Sequence, residues 1–204
     1  MDLNSQLIIF SVIILVLSAA FHEYMHAWMA DRLGDHTARD LGRLTINPIA
    51  HLDWFGSIFL PFLLVITGTP FVFGYAKPVP FNPHNLRDSK WGPAKVAVAG
   101  PLANLILAVV FGLILRFAPT LDPNLSILLT YIVIINLVLM VFNLVPIPPL
   151  DGSKIIMPLL PYHLQEKYFR LEPYGMMLVI IFMIMGFQFV WFAVNILFQL
   201  IVGG

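Results

Sequence analysis

The sequence has no cysteine and very little charge. Of its 204 residues 11% are charged, and 11 Lys plus Arg face 11 Asp plus Glu, so the formal net charge is zero. Without cysteine there is no disulfide framework, thiolate zinc ribbon or cysteine nucleophile, and any metal must be held by His, Asp or Glu. Without an excess of positive charge there is no field to hold a phosphate backbone, which excludes nucleic acid as a partner. What replaces charge is apolar: 59% of the residues are hydrophobic, whereas a soluble domain has about 45 to 50% apolar and about 25% charged residues. That composition cannot furnish a water-facing surface.

Apolar stretches free of charge run from Leu3 to Phe21, Trp54 to Ala76, Val96 to Leu115, Leu125 to Leu150 and Tyr174 to Val202. A helical span takes about 20 apolar residues, so at least four of these suffice, and we expect an all-α polytopic membrane protein with about four to six transmembrane helices. The first stretch opens with Asp2 and has no positive n-region, so it reads as a retained span and not as a cleaved signal. The second is interrupted by Pro61, Gly68 and Pro70, which predicts a re-entrant or broken element. The last is one tilted helix or two pieces meeting near Gly186. Between the first and third long spans, Gly42 to Pro48 and Tyr75 to Pro83 each end in Asn-Pro, which predicts short extended segments or turns. No repeat or linker divides the chain, so residues 1–204 read as one domain.

Basic residues cluster in 31–53, 77–95 and 154–170. Cytoplasmic loops retain Lys and Arg, so these three segments are expected on the cytoplasmic side, provided that the Trp54 to Ala76 element enters and leaves on the same side or crosses twice. The C-terminal ends of the first and fourth stretches then lie at one depth.

At the end of the first stretch stands His22-Glu23-Tyr24-Met25-His26. Residues four apart share a helix face, so two imidazoles can meet one tetrahedral Zn²⁺, with Glu23 beside them as the proton carrier of a hydrolase. Glu23 is one of only three Glu in the chain, and an ionisable group within a membrane helix is costly and mostly functional. A polar helix end at the membrane interface is the plainer alternative. Two His leave such a metal one protein ligand short, and the candidates are Asp151, Asp53, His51, Glu166, His36, His84 and His163. Asp151 follows Pro146, Pro148 and Pro149, which stop the fourth helix and deliver a carboxylate at the depth of His26. A helix N-cap explains the same aspartate equally well.

Phe21 to His26, Gly42 to Pro48, Gly100-Pro101-Leu102-Ala103-Asn104 and the Pro-rich segment from Asn143 to Gly152 together resemble the site-2 protease family of intramembrane zinc metalloproteases, in its compact branch without a PDZ domain. The resemblance covers most of the chain. It implies one Zn²⁺ per chain held by His22, His26 and Asp151, with Glu23 as catalytic acid/base and Asn143 near the developing oxyanion. It implies further that the substrate is a membrane-spanning protein, cut in or at the edge of the bilayer, with the enzyme in the cell membrane and its active site toward the cytoplasm. Asn104, Asn136 and Asn195 read as helix-packing residues. Two rival classes are a multi-pass divalent-metal transporter, which calls for further ionisable groups along the spans, and a catalytically inactive membrane binding partner.

Overall fold

The computed structural model describes residues 3–59, 66, 77–118 and 120–203. Every regular element among them is helical: α1 (Leu3–Arg32), α2 (Thr37–Asp40), α3 (Gly92–Phe117), α4 (Pro123–Asn143), α5 (Asp151–Ile156), α6 (Tyr162–Phe169) and α7 (Gly175–Val202). Four helical runs in this set are long and apolar enough to cross a membrane: Ser5–Arg32, α3, α4 and the run Tyr162–Val202 that contains α7. The chain is a polytopic all-α membrane protein.

Helix α1 outlasts its apolar run by eleven residues, from Phe21 to Arg32. Polarity begins at His22, but helical hydrogen bonding needs no apolar side chain, and Glu, Met and Ala are good helix formers. The helix stops where Gly34 adopts φ +109°, a conformation open to glycine and disfavoured for other residues. Helix α3 contains Pro101, which has no N–H to give to the carbonyl four residues back. In α4 the Asp122 side chain accepts from the amides of Asn124 and Leu125 at 2.9 and 3.2 Å, an N-cap followed by Pro123. The prolines after Asn143 end it. Helix α7 is continuous through Gly186, which is buried; a Cβ there would lie 2.5 Å from the Phe182 ring. The glycine therefore serves packing and does not divide the last stretch.

Helix α3 is the hub, packing against α1, α4, α5 and α7. A buried cluster of Ala108, Val133, Leu137, Met140, Val190 and Val194 joins α3, α4 and α7, while large side chains such as Ile8, Val110, Ile184 and Phe192 stay exposed, as lipid-facing positions require. Asn195 also faces outward and is not a packing residue, because this part of α7 presents Val190 and Val194 to the core.

Of the Trp54 to Ala76 stretch, a π-helical turn at Trp54–Phe59 is described; its re-entrant or broken course lies outside the described residues. The segments around Thr45 and Val79 are irregular, with no strand among the described residues. The Asn-Pro pairs act as anticipated, Asn47 and Asn82 accepting from the amides of Ile49 and His84 to open short 3₁₀ turns.

Candidate metal centre

Helical spacing on α1 sets His22 and His26 on one face, their Nε2 atoms 2.9 Å apart. The turn after α4 delivers Asp151 as the first residue of α5, and its Oδ2 lies 3.1 Å from each Nε2. The three atoms form a nearly equilateral triangle. His22 and Asp151 are buried, 6% and 7% exposed.

Two glycines make this approach possible. A Cβ on Gly100 would stand 2.4 Å from His26 Nε2 and 2.5 Å from His22 Nε2. A Cβ on Gly152 would strike the Leu144 carbonyl oxygen at 2.1 Å, so α5 can begin where it does only with glycine second.

Behind the triangle, each Nδ1 meets an oxygen: His26 donates to the Val96 carbonyl at 2.7 Å, and His22 faces Asn104 Oδ1 at 2.6 Å. With both Nδ1 protonated, three acceptor atoms converge with no hydrogen among them, a set that repels itself unless a cation intervenes. Two imidazoles and a carboxylate suit Zn²⁺, whose tetrahedral ligands at about 2.0–2.1 Å stand about 3.3 Å apart. The residues present fit that ion. Glu23 also offers a carboxylate oxygen within 4.8 Å of the imidazole donors. Its Oε2 accepts from the Val79 amide at 2.9 Å, which ties this turn of α1 to the segment 77–82.

The remaining candidates have other partners. His36 bonds to Asp31, the buried His51 reaches the Thr45 carbonyl, Asp53 caps the Gly56 amide, Glu166 pairs with Arg170, and His84 and His163 are exposed. Asn143 donates to the Leu139 carbonyl one turn back in α4, with no hydrogen bond to the triangle among the described residues. Asn104 makes the helix-packing hydrogen bond expected of it, to Asn136 at 3.0 Å, and in addition contacts His22. The signal was its position one turn after Gly100, on the α3 face that the glycine opens to the imidazoles.

The Peptidase family M50 model matches residues 10–121 and 116–186. The chain is 38% identical over 198 residues to "Putative zinc metalloprotease YwhC" of Bacillus subtilis, covering 90% of this chain and 85% of that protein. It is 31% identical to "Putative zinc metalloprotease Rip2" of Mycolicibacterium smegmatis, over 87% of this chain and 67% of that one. It is also 31% identical to "Putative zinc metalloprotease MJ0611" of Methanocaldococcus jannaschii, over 75% and 73%. No solved structure matches it. Helical spans and a His-Glu-His group within the first of them define a membrane-embedded zinc metalloprotease. The chain belongs to Peptidase family M50, the family of the site-2 proteases, and has its compact form.

Proposed function

We propose that this protease cleaves membrane-spanning proteins at or near the cytoplasmic edge of the bilayer, with one Zn²⁺ per chain held by His22, His26 and Asp151 and with Glu23 as acid/base. The observation that carries this reading is the triangle of Nε2, Nε2 and Oδ2 atoms, 2.9 to 3.1 Å on a side, with Glu23 on the adjacent position of α1.

Zinc held by His22, His26 and Asp151 would supply an activated water and polarise the scissile carbonyl. Glu23 holds Oε2 on the Val79 amide, which leaves Oε1 to take the water proton and return it to the departing amine. Asn143 has one amide hydrogen on Leu139 and a second available for the oxyanion. A substrate helix must open locally, since helical carbonyls are hydrogen-bonded and shielded.

The cytoplasmic placement is supported by the charge distribution. Every Lys and Arg except Arg116 belongs to the end of the bundle that holds the site or to the segments beside it, as the positive-inside rule requires of cytoplasmic loops. The cell membrane is accordingly the proposed location. Among the described residues, no further group of His, Asp and Glu at metal-holding distances favours transport.

Metal analysis tests the ligand set. The purified protein should carry one zinc per chain, retain it in Glu23→Gln and lose it in Asp151→Ala. Full zinc occupancy in Asp151→Ala would remove Asp151 from the set. Chelation should stop cleavage of a single-span substrate and added zinc should restore it; cleavage indifferent to chelation would contradict the reading.

A further inference from the structure

Two asparagines lie completely buried in the spans, Asn104 on α3 and Asn136 on α4, each 0% exposed. Inside a bilayer no water is at hand to satisfy a polar group, so their partners are informative. Asn136 Nδ2 donates to the Ile132 carbonyl at 2.9 Å, Asn104 Nδ2 donates to Asn136 Oδ1 at 3.0 Å, and Asn104 Oδ1 lies 2.6 Å from His22 Nδ1.

The direction of this chain is forced from its far end. A backbone carbonyl only accepts, so the group of Asn136 facing Ile132 must be the amide nitrogen. Its oxygen then faces Asn104 and needs a donor, which fixes the Asn104 nitrogen there. The Asn104 oxygen is left facing His22, and the only way to fill it is with an Nδ1–H. A carbonyl on α4 thus dictates, through two side-chain amides, which imidazole nitrogen of α1 carries the proton. Nε2 is left with its lone pair toward His26 and Asp151. His26 needs no such relay, because its Nδ1 meets the Val96 carbonyl directly.

We infer that Asn104, held in orientation by Asn136, is the positioning residue that locks His22 in its Nδ1–H tautomer and so prepares Nε2 to bind zinc. This rests on the reading of His22 as a ligand, and partners of this kind are worth roughly 10- to 100-fold in metal affinity. Asn136 acts one step further back, by denying Asn104 the flipped orientation that would turn an NH₂ toward His22.

The test uses the full chain in detergent, wild type against Asn104→Ala, Asn104→Asp and the double variant Asn104→Leu/Asn136→Leu, which removes both amides and leaves neither orphaned. The ¹⁵N spectrum of the metal-free, histidine-labelled protein reads the tautomer without any metal. His22 Nδ1 should be fully protonated in wild type, remain so in Asn104→Asp, and be only partly protonated in Asn104→Ala and the double variant, with His26 Nδ1 unchanged. Zinc affinity by chelator competition should fall about 10- to 100-fold in Asn104→Ala and the double variant and stay within a few-fold of wild type in Asn104→Asp. An unaltered His22 tautomer in the double variant would overturn the inference, as would zinc affinity that follows thermal stability across all variants with no rescue by aspartate. A wild type with the stated tautomer that binds no zinc would overturn the proposed ligand set while leaving the asparagine relay standing.

Discussion

Gly100 sets the space in which the site exists. Alanine there places a methyl carbon 2.4 to 2.6 Å from the imidazole atoms of His22 and His26, a separation that rotation of a methyl group cannot relieve. Gly100→Ala should therefore abolish zinc binding while leaving helical content intact, since alanine favours a helix interior by about 1 kcal/mol over glycine. Metal analysis beside circular dichroism checks both halves. Asn143→Ala should lower kcat by about 10² with little change in KM, the signature of a lost oxyanion donor; steady-state kinetics on a single-span substrate would show it. The two proposed ligands on α1 and the glutamate beside them are legible in the sequence because one helical turn brings them together. Asp151 is less so, since its prolines place a carboxylate at a helix end without deciding between cap and ligand. The contact of Asn104 with His22 escapes because the rotation of α3 about its own axis, which turns the asparagine toward the imidazole, is set by packing and not by local spacing.

At the scale of elements, the site is held by two short connections. Helix α5 has Gly152 as its second residue, whose bare Cα lets Asp151 reach the imidazoles, and Gly152→Ala would meet the Leu144 carbonyl. That variant should lose zinc at least as fully as a direct ligand substitution, which metal analysis would record. The second connection is the segment 77–82, whose Val79 amide holds Glu23. It is anchored at one end by the Lys77 amide on the His51 carbonyl and at the other by Asp35, which is fully buried and accepts from the Asn82 amide at 2.7 Å and from Asn85 Nδ2 at 2.9 Å. Burial pushes the Asp35 carboxyl up, but the hydrogen bonds of Thr37, Asn85 and Asn82 outweigh it and hold the group below its ordinary value. A depressed carboxylate stabilises the folded state fully above its unfolded pKa of about 3.9 and loses that contribution as pH falls through the lower folded value. Thermal unfolding should thus show a decline below about pH 4 that is shallower in Asp35→Asn, with that variant less stable by about 2 kcal/mol at neutral pH, where the charge-assisted bonds are lost. The spans were legible because apolar runs of that length have few other uses. Their ends were not: α1 continues to Arg32 on residues whose helix preference a hydropathy reading ignores.

Over the whole molecule, scarcity of charge acquires a direction. The cations gather at the end of the bundle where α1 and α4 finish, and at the far end Arg116 donates to the Leu200 carbonyl at the close of α7. Because the chain has no cysteine, single thiols report sidedness without background. Ser89→Cys should react with a membrane-impermeant maleimide only after the cells are opened, and Thr120→Cys should react in intact cells; the reverse pattern would place the site outside. The central claim is that a buried zinc site with Glu23 as proton carrier hydrolyses a membrane-spanning chain, and cleavage in proteoliposomes tests it most directly. Wild type and Glu23→Gln, loaded with equal zinc, are given a single-span substrate and the fragments are mapped by mass spectrometry. The account predicts a cut within the span or at its cytoplasmic edge by wild type, and a rate at least about 10²-fold lower in Glu23→Gln. Equal rates in the two proteins would contradict it.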